Sequence, residues 1–304
     1  MKNSQSDNKS GSVRILLLGK DGQLGQPLSE QLRSEYELIS WGRDELDLTE
    51  TSQIKQKISS VDPDIIVNTA AYTNVEKAED EVELANIVNN VAVSEIAIAA
   101  RDQDALLIHF STDYVFSGKG HTAFKEDDET RPLNIYGKTK LAGEKAILRS
   151  KCEYLIFRIS WLYSYNSKNF VTTVLDRISE DQEVSIVNDQ FGCPTSTSYV
   201  ARIVAHALKK GKPTSGVYHL TAKGKTNWYE FAKLVCFYAS QHCHFDAYRK
   251  PRIKPIKSSE YHTKVKRPEC SALDCNKLFL ALGISQTSFE ALLQNEVRNY
   301  LQTR

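Results

Sequence analysis

Long hydrophobic runs are missing from this 304-residue chain. None approaches the roughly 18 consecutive apolar residues that a membrane-spanning helix needs, so no membrane partner is expected. The first dozen residues, MKNSQSDNKSGS, are polar and hold no apolar segment of the kind a secretory signal requires. Residues 1–12 therefore read as a disordered tail. Surplus charge is missing too. Lys plus Arg number 39 against 38 Asp plus Glu, a formal net charge of +1. Such a balance gives no general attraction to nucleic acid, and none is expected as a partner. Cysteine is sparse and unpatterned: it stands at 152, 193, 236, 243, 270 and 275, without a CxxC. In a long chain with no secretory signal this reads as free thiols in a reducing compartment, the cytoplasm. Cys236, His242, Cys243 and His244 fit no closed zinc spacing, and Cys236 belongs to an apolar helical stripe. No metal is expected.

What the chain does have is length enough for about two domains and a regular alternation of strand and helix patterns. Short apolar, β-branched runs predict strands at 13–18, 36–40, 64–68, 105–110, 154–159 and 184–187. Helical periodicity predicts helices at 24–34, 52–60, 81–101, 136–149 and 169–179. This rhythm implies βαβ units and an α/β fold: a Rossmann-like doubly wound parallel sheet, covered on both faces. Beyond about Asp189 the rhythm loosens, with Pro194, Pro213, Pro251, Pro255 and Pro268 and a basic stretch from Arg249 to Arg267. Helices are predicted at 197–209, 227–240 and 288–301, and a strand at 216–221. The expected division is a dinucleotide-binding domain over 13–188 and a smaller C-terminal α/β substrate lobe over 189–304. The two are interleaved, with part of 216–240 returning to the first.

Gly19-Lys20-Asp21-Gly22-Gln23-Leu24-Gly25 follows the first strand and opens the first helix. Glycines lack a Cβ, so the backbone can turn tightly and approach a pyrophosphate lying on the helix N-terminus. The spacing is GxxGxxG rather than the commoner GxGxxG, but its place at the first β–α junction points to a dinucleotide. Gly19, Asp21, Gly22, Gln23, Leu24 and Gly25 are the expected contacts. After the second strand comes Trp41-Gly42-Arg43. An arginine there accommodates the 2′-phosphate of NADP, which favours NADPH with NADH still possible. Asp47 and Leu48 lie close enough to reach adenine. The third strand ends at Asn68-Thr69-Ala70-Ala71-Tyr72, where small residues let a cofactor lie across the sheet edge.

Ser111-Thr112 ends the 105–110 run, at the sheet edge where ligands bind in open α/β folds. Tyr136 and Lys140 follow, four apart, and so project from one face of a helix. A free tyrosine titrates near 10, and an adjacent ammonium lowers that value, toward the range useful for acid catalysis. Tyr136 is then the proton donor to a ketone, Lys140 tunes it and holds the nicotinamide ribose, and Thr112 hydrogen-bonds the substrate oxygen. YxxxK is a cheap pattern. Tyr229 and Lys233 repeat it, but no strand-end hydroxyl precedes them, so that pair reads as a structural helix with a solvated lysine. Asn89, on the long helix, reads either as support for a proton-carrying water or as an ordinary buried polar residue.

Taken together, GKDGQLG at 19–25, PDIIVNTAAYTNVEKAE at 63–79, STDYVFSG at 111–118, PLNIYGKTKLAGE at 132–144, FRISW at 157–161, VNDQFGCPT at 187–195 and RPECSALD at 267–274 resemble the extended short-chain dehydrogenase/reductases. Within these the pattern is similar to the dTDP-4-dehydrorhamnose reductases, from about residue 13 to 300. The resemblance implies Thr112, Tyr136 and Lys140 as the catalytic group and a dTDP-sugar as substrate. It also implies Thr73, Val75, Asp113, Tyr114 and Trp161 around the sugar, and Asn169, Gln190 and Arg267 near the nucleotide diphosphate. Some members of that group dimerise through a magnesium site built on glutamates, where this chain has Pro27 and Ser198. A monomer or weak homodimer is therefore expected. The implied reaction is NADPH-dependent reduction of the 4-keto group of dTDP-4-dehydro-L-rhamnose. Another nucleotide-sugar 4-ketoreductase, a 4-epimerase that keeps NAD bound, or a catalytically silent regulatory subunit are the readings left beside it.

Overall fold

The computed structural model describes residues 12–120, 122–180, 182–211, 213–242, 248 and 251–303. The expected N-terminal tail (apart from Ser12) and the Cys243 and His244 of the weighed metal cluster lie outside them. Six strands form the central sheet: β1 (Arg14–Leu18), β2 (Glu37–Trp41), β3 (Ile65–Asn68), β4 (Leu106–Thr112), β5 (Tyr154–Ile159) and β10 (Gly216–His219). Their order is β10-β5-β4-β3-β1-β2, and every pairing is parallel. The chain leaves β1 toward β2, then reverses to build β3, β4 and β5 on the other side. That reversal opens a crevice between the carboxyl ends of β1 and β3, the place where such Rossmann-like sheets receive ligands.

Alternation along each strand divides the core in two. Ile15, Leu17, Ile108, Leu155 and Phe157 face one side, packed with the helices Gly25–Leu32, Phe170–Ser179, Thr197–Lys209 and Trp228–His242. Leu16, Leu18, Ile66, Leu107 and Ile156 face the other, against the helix Thr51–Val61 and the long helix Val82–Asp102. By length and composition this long helix is apolar enough to cross a membrane, which a search for unbroken apolar runs does not register. Its Ala92, Val93, Ile96, Ala97, Ala99 and Ala100 are instead buried against the sheet. The predicted single helix is also interrupted: Ile87–Val91 is a π-turn, an insertion that periodicity does not reveal.

The C-terminal half returns to the sheet by supplying β10, which pairs with β5. Val184–Val187 (β7), read as continuing the first domain, lies outside the six strands and pairs in parallel with Ile253–Ile256 (β12) in the basic stretch. Two further small ribbons, Leu162–Tyr163 with Thr195–Ser196 (β6 and β9) and Phe191–Gly192 with Thr226–Asn227 (β8 and β11), lie beside the mouth of the crevice.

The helix Ile135–Ser150, which carries Tyr136 and Lys140, is pinned to the sheet by an ion pair. Arg158 Nε donates to Glu144 Oε1 at 3.0 Å and Nη2 donates to Oε2 at 2.7 Å, with the two side chains only 5% and 4% exposed. Removing one member strands the other charge in a dry site, at a cost of about 3–5 kcal/mol, whereas replacing both by apolar groups is far milder. Glu144→Ala should accordingly destabilise the protein in urea unfolding by about that amount, and Glu144→Leu combined with Arg158→Met should lose much less.

Candidate active site

The crevice is a cleft of about 680 Å³, within the size range of small-molecule sites. One end is built on the glycine turn. Gly19 has φ +87, and a Cβ there would meet Thr69 Oγ1 at 2.7 Å and the Ala70 nitrogen at 2.8 Å. A Cβ at Gly25 would fall 2.0 Å from the Gly19 carbonyl. Only glycine admits this path. The turn hangs from the end of β2, since the backbone N–H groups of Gly19 and Lys20 donate to the Trp41 carbonyl at 2.8 and 3.1 Å. The helix Gly25–Leu32 that follows has no side-chain cap; the Gln26 N–H is taken by the Gly22 carbonyl at 3.2 Å and Pro27 has none, so what the helix offers an incoming anion is the positive end of its dipole.

Gly19, Asp21, Gly22, Gln23, Leu24, Ala70, Ala71, Tyr72 and Thr73 line this end of the cleft, with Arg43, Asp47 and Leu48 at its rim. Arg43 is 78% exposed and pairs with Asp47 at 3.0 Å. Gly25 supports the turn without lining the cleft. Asn89 does not line it either. Its carboxamide clamps the loop that does: Oδ1 accepts from the Tyr72 N–H at 2.9 Å, and Nδ2 donates to the Tyr72 carbonyl at 3.0 Å and to Thr139 Oγ1 at 3.2 Å. With each polar atom bonded inside the protein, of the two readings of Asn89 the buried structural one fits the geometry.

The other end of the cleft lies where β4 stops. Thr112 is its last residue and caps the short 3₁₀ turn Asp113–Val115, accepting from the Tyr114 N–H at 3.2 Å. The helix Ile135–Ser150 starts at Asn134, whose Oδ1 accepts from the Gly137 N–H at 2.8 Å while its Nδ2 donates to the Lys266 carbonyl at 3.0 Å. The helix entry is thus tied to the C-terminal segment. Thr112, Asp113, Tyr136, Lys140 and Trp161 all line this end of the same cleft, and so does Ser111. The Ser111 Oγ is buried there with no partner.

Electrostatically the group differs from expectation in one respect. Tyr136 is half-buried at the cleft wall, and loss of water pushes its phenol above the ordinary value, while a hydrogen bond with Thr112 pulls it down. The expected lowering by Lys140 is not what the geometry shows, because the Lys140 amine is turned into the sheet. It donates to the Phe110 carbonyl at 2.6 Å and lies 3.4 Å from His109 Nε2. Burial pulls Lys140 itself down to about 8, opposed by Glu144. Burial also raises Asp113 to about 6, against hydrogen bonds from Ser271, Ser160 and Thr112.

Trp161 holds a left-handed backbone, φ 48, a strained state for a bulky residue. Its ring is stacked on Trp228 at 3.4 Å between centroids. Tyr114 lies just behind the cleft, its ring edge-on to Tyr136 at 5.9 Å. Its hydroxyl meets Arg267 Nη1 at 3.3 Å, and Nη2 of the same arginine binds Glu76 at 2.8 Å. Arg267 and Gln190 belong to an adjoining hollow with Ser258, Lys264 and Lys266. There Gln190 donates to Ser258 at 3.0 Å, and Arg267 Nε is buried without a partner. Val75 opens the short helix Val75–Ala78 beneath this hollow. Asn169 is placed elsewhere: it caps the helix Phe170–Ser179, and its Nδ2 donates to the carbonyls of Ser164 and Ser167 at 2.6 and 2.8 Å. A diphosphate contact from its side chain does not fit this geometry. Sequence reasoning missed Trp228, Glu76 and Ser160. Each acts through a partner far along the chain, and no local pattern announces it.

Comparisons with known proteins agree with this architecture. The profile of the family described as RmlD substrate binding domain matches residues 13–302. The dTDP-4-dehydrorhamnose reductase of Escherichia coli (strain K12) is 40% identical over 279 residues, covering 87% of this chain and 90% of that protein. Among solved structures, the dTDP-4-dehydrorhamnose reductase of Bacillus anthracis in complex with NADP superposes with a TM-score of 0.86 at 31% identity, covering 97% of this chain and 100% of its own. The orthologue from Clostridium acetobutylicum gives 0.87 at 32%, covering 95% and 100%. With a turn, a strand end and a tyrosine–lysine helix that converge on one cleft, and with this degree of identity over nearly its whole length, the chain belongs to the RmlD substrate binding domain family, alongside the dTDP-4-dehydrorhamnose reductases.

Proposed function

We propose that the protein reduces the 4-keto group of dTDP-4-dehydro-L-rhamnose to give dTDP-L-rhamnose, using NADPH in preference to NADH. The observation that carries this reading is that one cleft holds both the uncapped glycine turn and the Thr112–Tyr136–Lys140 group. The residues present fit a nicotinamide dinucleotide. A Cβ at Gly19 or Gly25 would collide with the chain's own atoms and spoil the turn, and Ser111, whose buried hydroxyl has no partner, lines the same cleft. The cofactor, when bound, supplies the hydride. Arg43 at the rim offers its guanidinium to a 2′-phosphate, which would take it from Asp47.

The chain's own groups do the rest. The Tyr136 hydroxyl gives its proton to the carbonyl oxygen as that oxygen gains electrons, and the Thr112 hydroxyl, which donates to Asp113 Oδ1 at 3.0 Å without substrate, turns to donate to the same atom. Lys140 lines the same cleft and, with the cofactor in place, would hold the nicotinamide ribose and tune Tyr136. Asp113 and Trp161 face the sugar, and Arg267, which lines the second hollow, brings a guanidinium to the diphosphate.

Two measurements test the reading. With NADPH oxidation followed on addition of the dTDP-4-ketosugar, Tyr136→Phe should lower kcat by about 10²- to 10⁴-fold, the usual worth of a positioned acid. Its NADPH affinity, read by fluorescence titration, should stay at the wild-type value. Equal turnover in the two proteins removes Tyr136 from the reaction. Arg43→Ala should shrink the ratio of kcat/KM for NADPH over NADH by about tenfold or more, as expected for one charge-assisted bond of about 1.5–3 kcal/mol. An unchanged ratio means that Arg43 does not read the 2′-phosphate.

A further inference from the structure

Behind Lys140 the sheet carries a buried polar chain that the reaction scheme above does not use. Lys140 Nζ lies 3.4 Å from His109 Nε2, and on the far side of the imidazole Asn68 Nδ2 lies 3.2 Å from His109 Nδ1. Asn68 is 1% exposed and His109 0%. The direction of the chain is fixed from its far end. The Ala70 backbone N–H, which can only donate, meets Asn68 Oδ1 at 3.1 Å, so the NH₂ of Asn68 is the group that faces the ring. A ring nitrogen facing an NH₂ must accept, so Nδ1 is bare. A neutral imidazole then carries its single proton on Nε2, pointing at Lys140.

Loss of water and the nearby Lys140 charge both hold His109 well below its ordinary value, so the doubly protonated ring is not an alternative. The consequence falls on the lysine. An ammonium at this position meets a donor on His109. A neutral amine is better served: it accepts the Nε2 proton, gives one N–H to the Phe110 carbonyl at 2.6 Å, and keeps a second N–H for the cleft. The elements around the amine also carry Tyr136 and Glu144 on its own helix, Asp113 after β4 and Arg158 on β5, and of these Glu144 acts on its charge. Glu144 favours the ammonium, but both its oxygens are engaged by Arg158.

We infer that Asn68 and His109 are positioning residues that fix a proton on His109 Nε2 and thereby loosen the hold of Lys140 on its own third proton. Asn68 acts only through His109, and His109 only through Lys140. Neither lines the cleft. The kinetic part of this inference rests on the proposed reductase activity, whereas its structural part does not.

Three measurements decide it. In wild-type protein labelled with ¹⁵N-histidine, two-bond ¹H–¹⁵N spectra should show His109 protonated at Nε2 and bare at Nδ1; a proton on Nδ1 overturns the inference whatever the enzyme does. Asn68→Asp keeps the bond from Ala70 but presents an acceptor to the ring. The proton should move to Nδ1, Nε2 should accept from the lysine, and Lys140 should hold its ammonium to higher pH. The alkaline limb of kcat/KM, where activity falls as Lys140 deprotonates, should then shift upward by about one pH unit, a tenfold change in proton affinity. Asn68→Leu, near in size but without polar atoms, frees the ring and should move the limb the same way by less. A limb unmoved in both folded variants overturns the inference, and if neither folds the wild-type spectrum decides. Wild-type protein with the expected tautomer but no ketosugar reduction would refute the proposed function and leave the proton assignment standing.

Discussion

A lysine amine held out of water is the constraint on which this structure turns. Lys140 is 2% exposed, and its protonated form is costly there unless its N–H groups find acceptors. The sheet offers one carbonyl, from Phe110, and a histidine. The remaining direction opens into the cleft. A side chain with unmet bonding capacity on a single side is thereby aimed, and the helix that carries it must sit at one height and one rotation over β4. The Arg158–Glu144 pair, a turn further on, fixes that height. The Asn134 cap, tied to the Lys266 carbonyl, fixes the entry.

The cleft is a product of both halves of the chain. Its floor is the switch point of the sheet, which needs only β1, β3 and β4. Its far wall needs segments from well beyond residue 189. Trp228 supports Trp161, Ser271 holds Asp113, and Arg267 stands behind Tyr114. The 111–118 loop and the 267–274 segment are also joined through their backbones, as in Cys270 N–H to the Gly118 carbonyl at 3.0 Å. The loop that follows β4 and the C-terminal segment behind it are therefore tied to each other through their backbones.

Most of the sheet was legible because parallel strands buried on both faces read as short apolar runs with helical stretches between them. Val184–Val187 was seen as a strand but misassigned, since its partner Ile253–Ile256 begins 66 residues later by number (253 less 187) in a stretch whose basic character hides it. The π-turn over Ile87–Val91 leaves the apolar rhythm almost unchanged and cannot be read from it. At the site, spacing and strand position alone singled out Tyr136, Lys140 and Thr112, and the structure brings the three to one cleft. The direction of the Lys140 amine was not, because a helical spacing says which face a side chain leaves from and nothing about the acceptors it finds. Asn169 shows the opposite failing. Its residue type suits a polar ligand and equally suits a helix cap, and here the cap takes every polar atom of its side chain.

The sixth strand carries a consequence for synthesis on the ribosome. Tyr154–Ile159 is flanked by β4 on one side from the moment it folds, but its other edge is met only when Gly216–His219 has been made. For that interval a nascent chain exposes the backbone of Leu155, Ile156 and Phe157 as an unpaired edge, the kind of surface that recruits strands from other molecules.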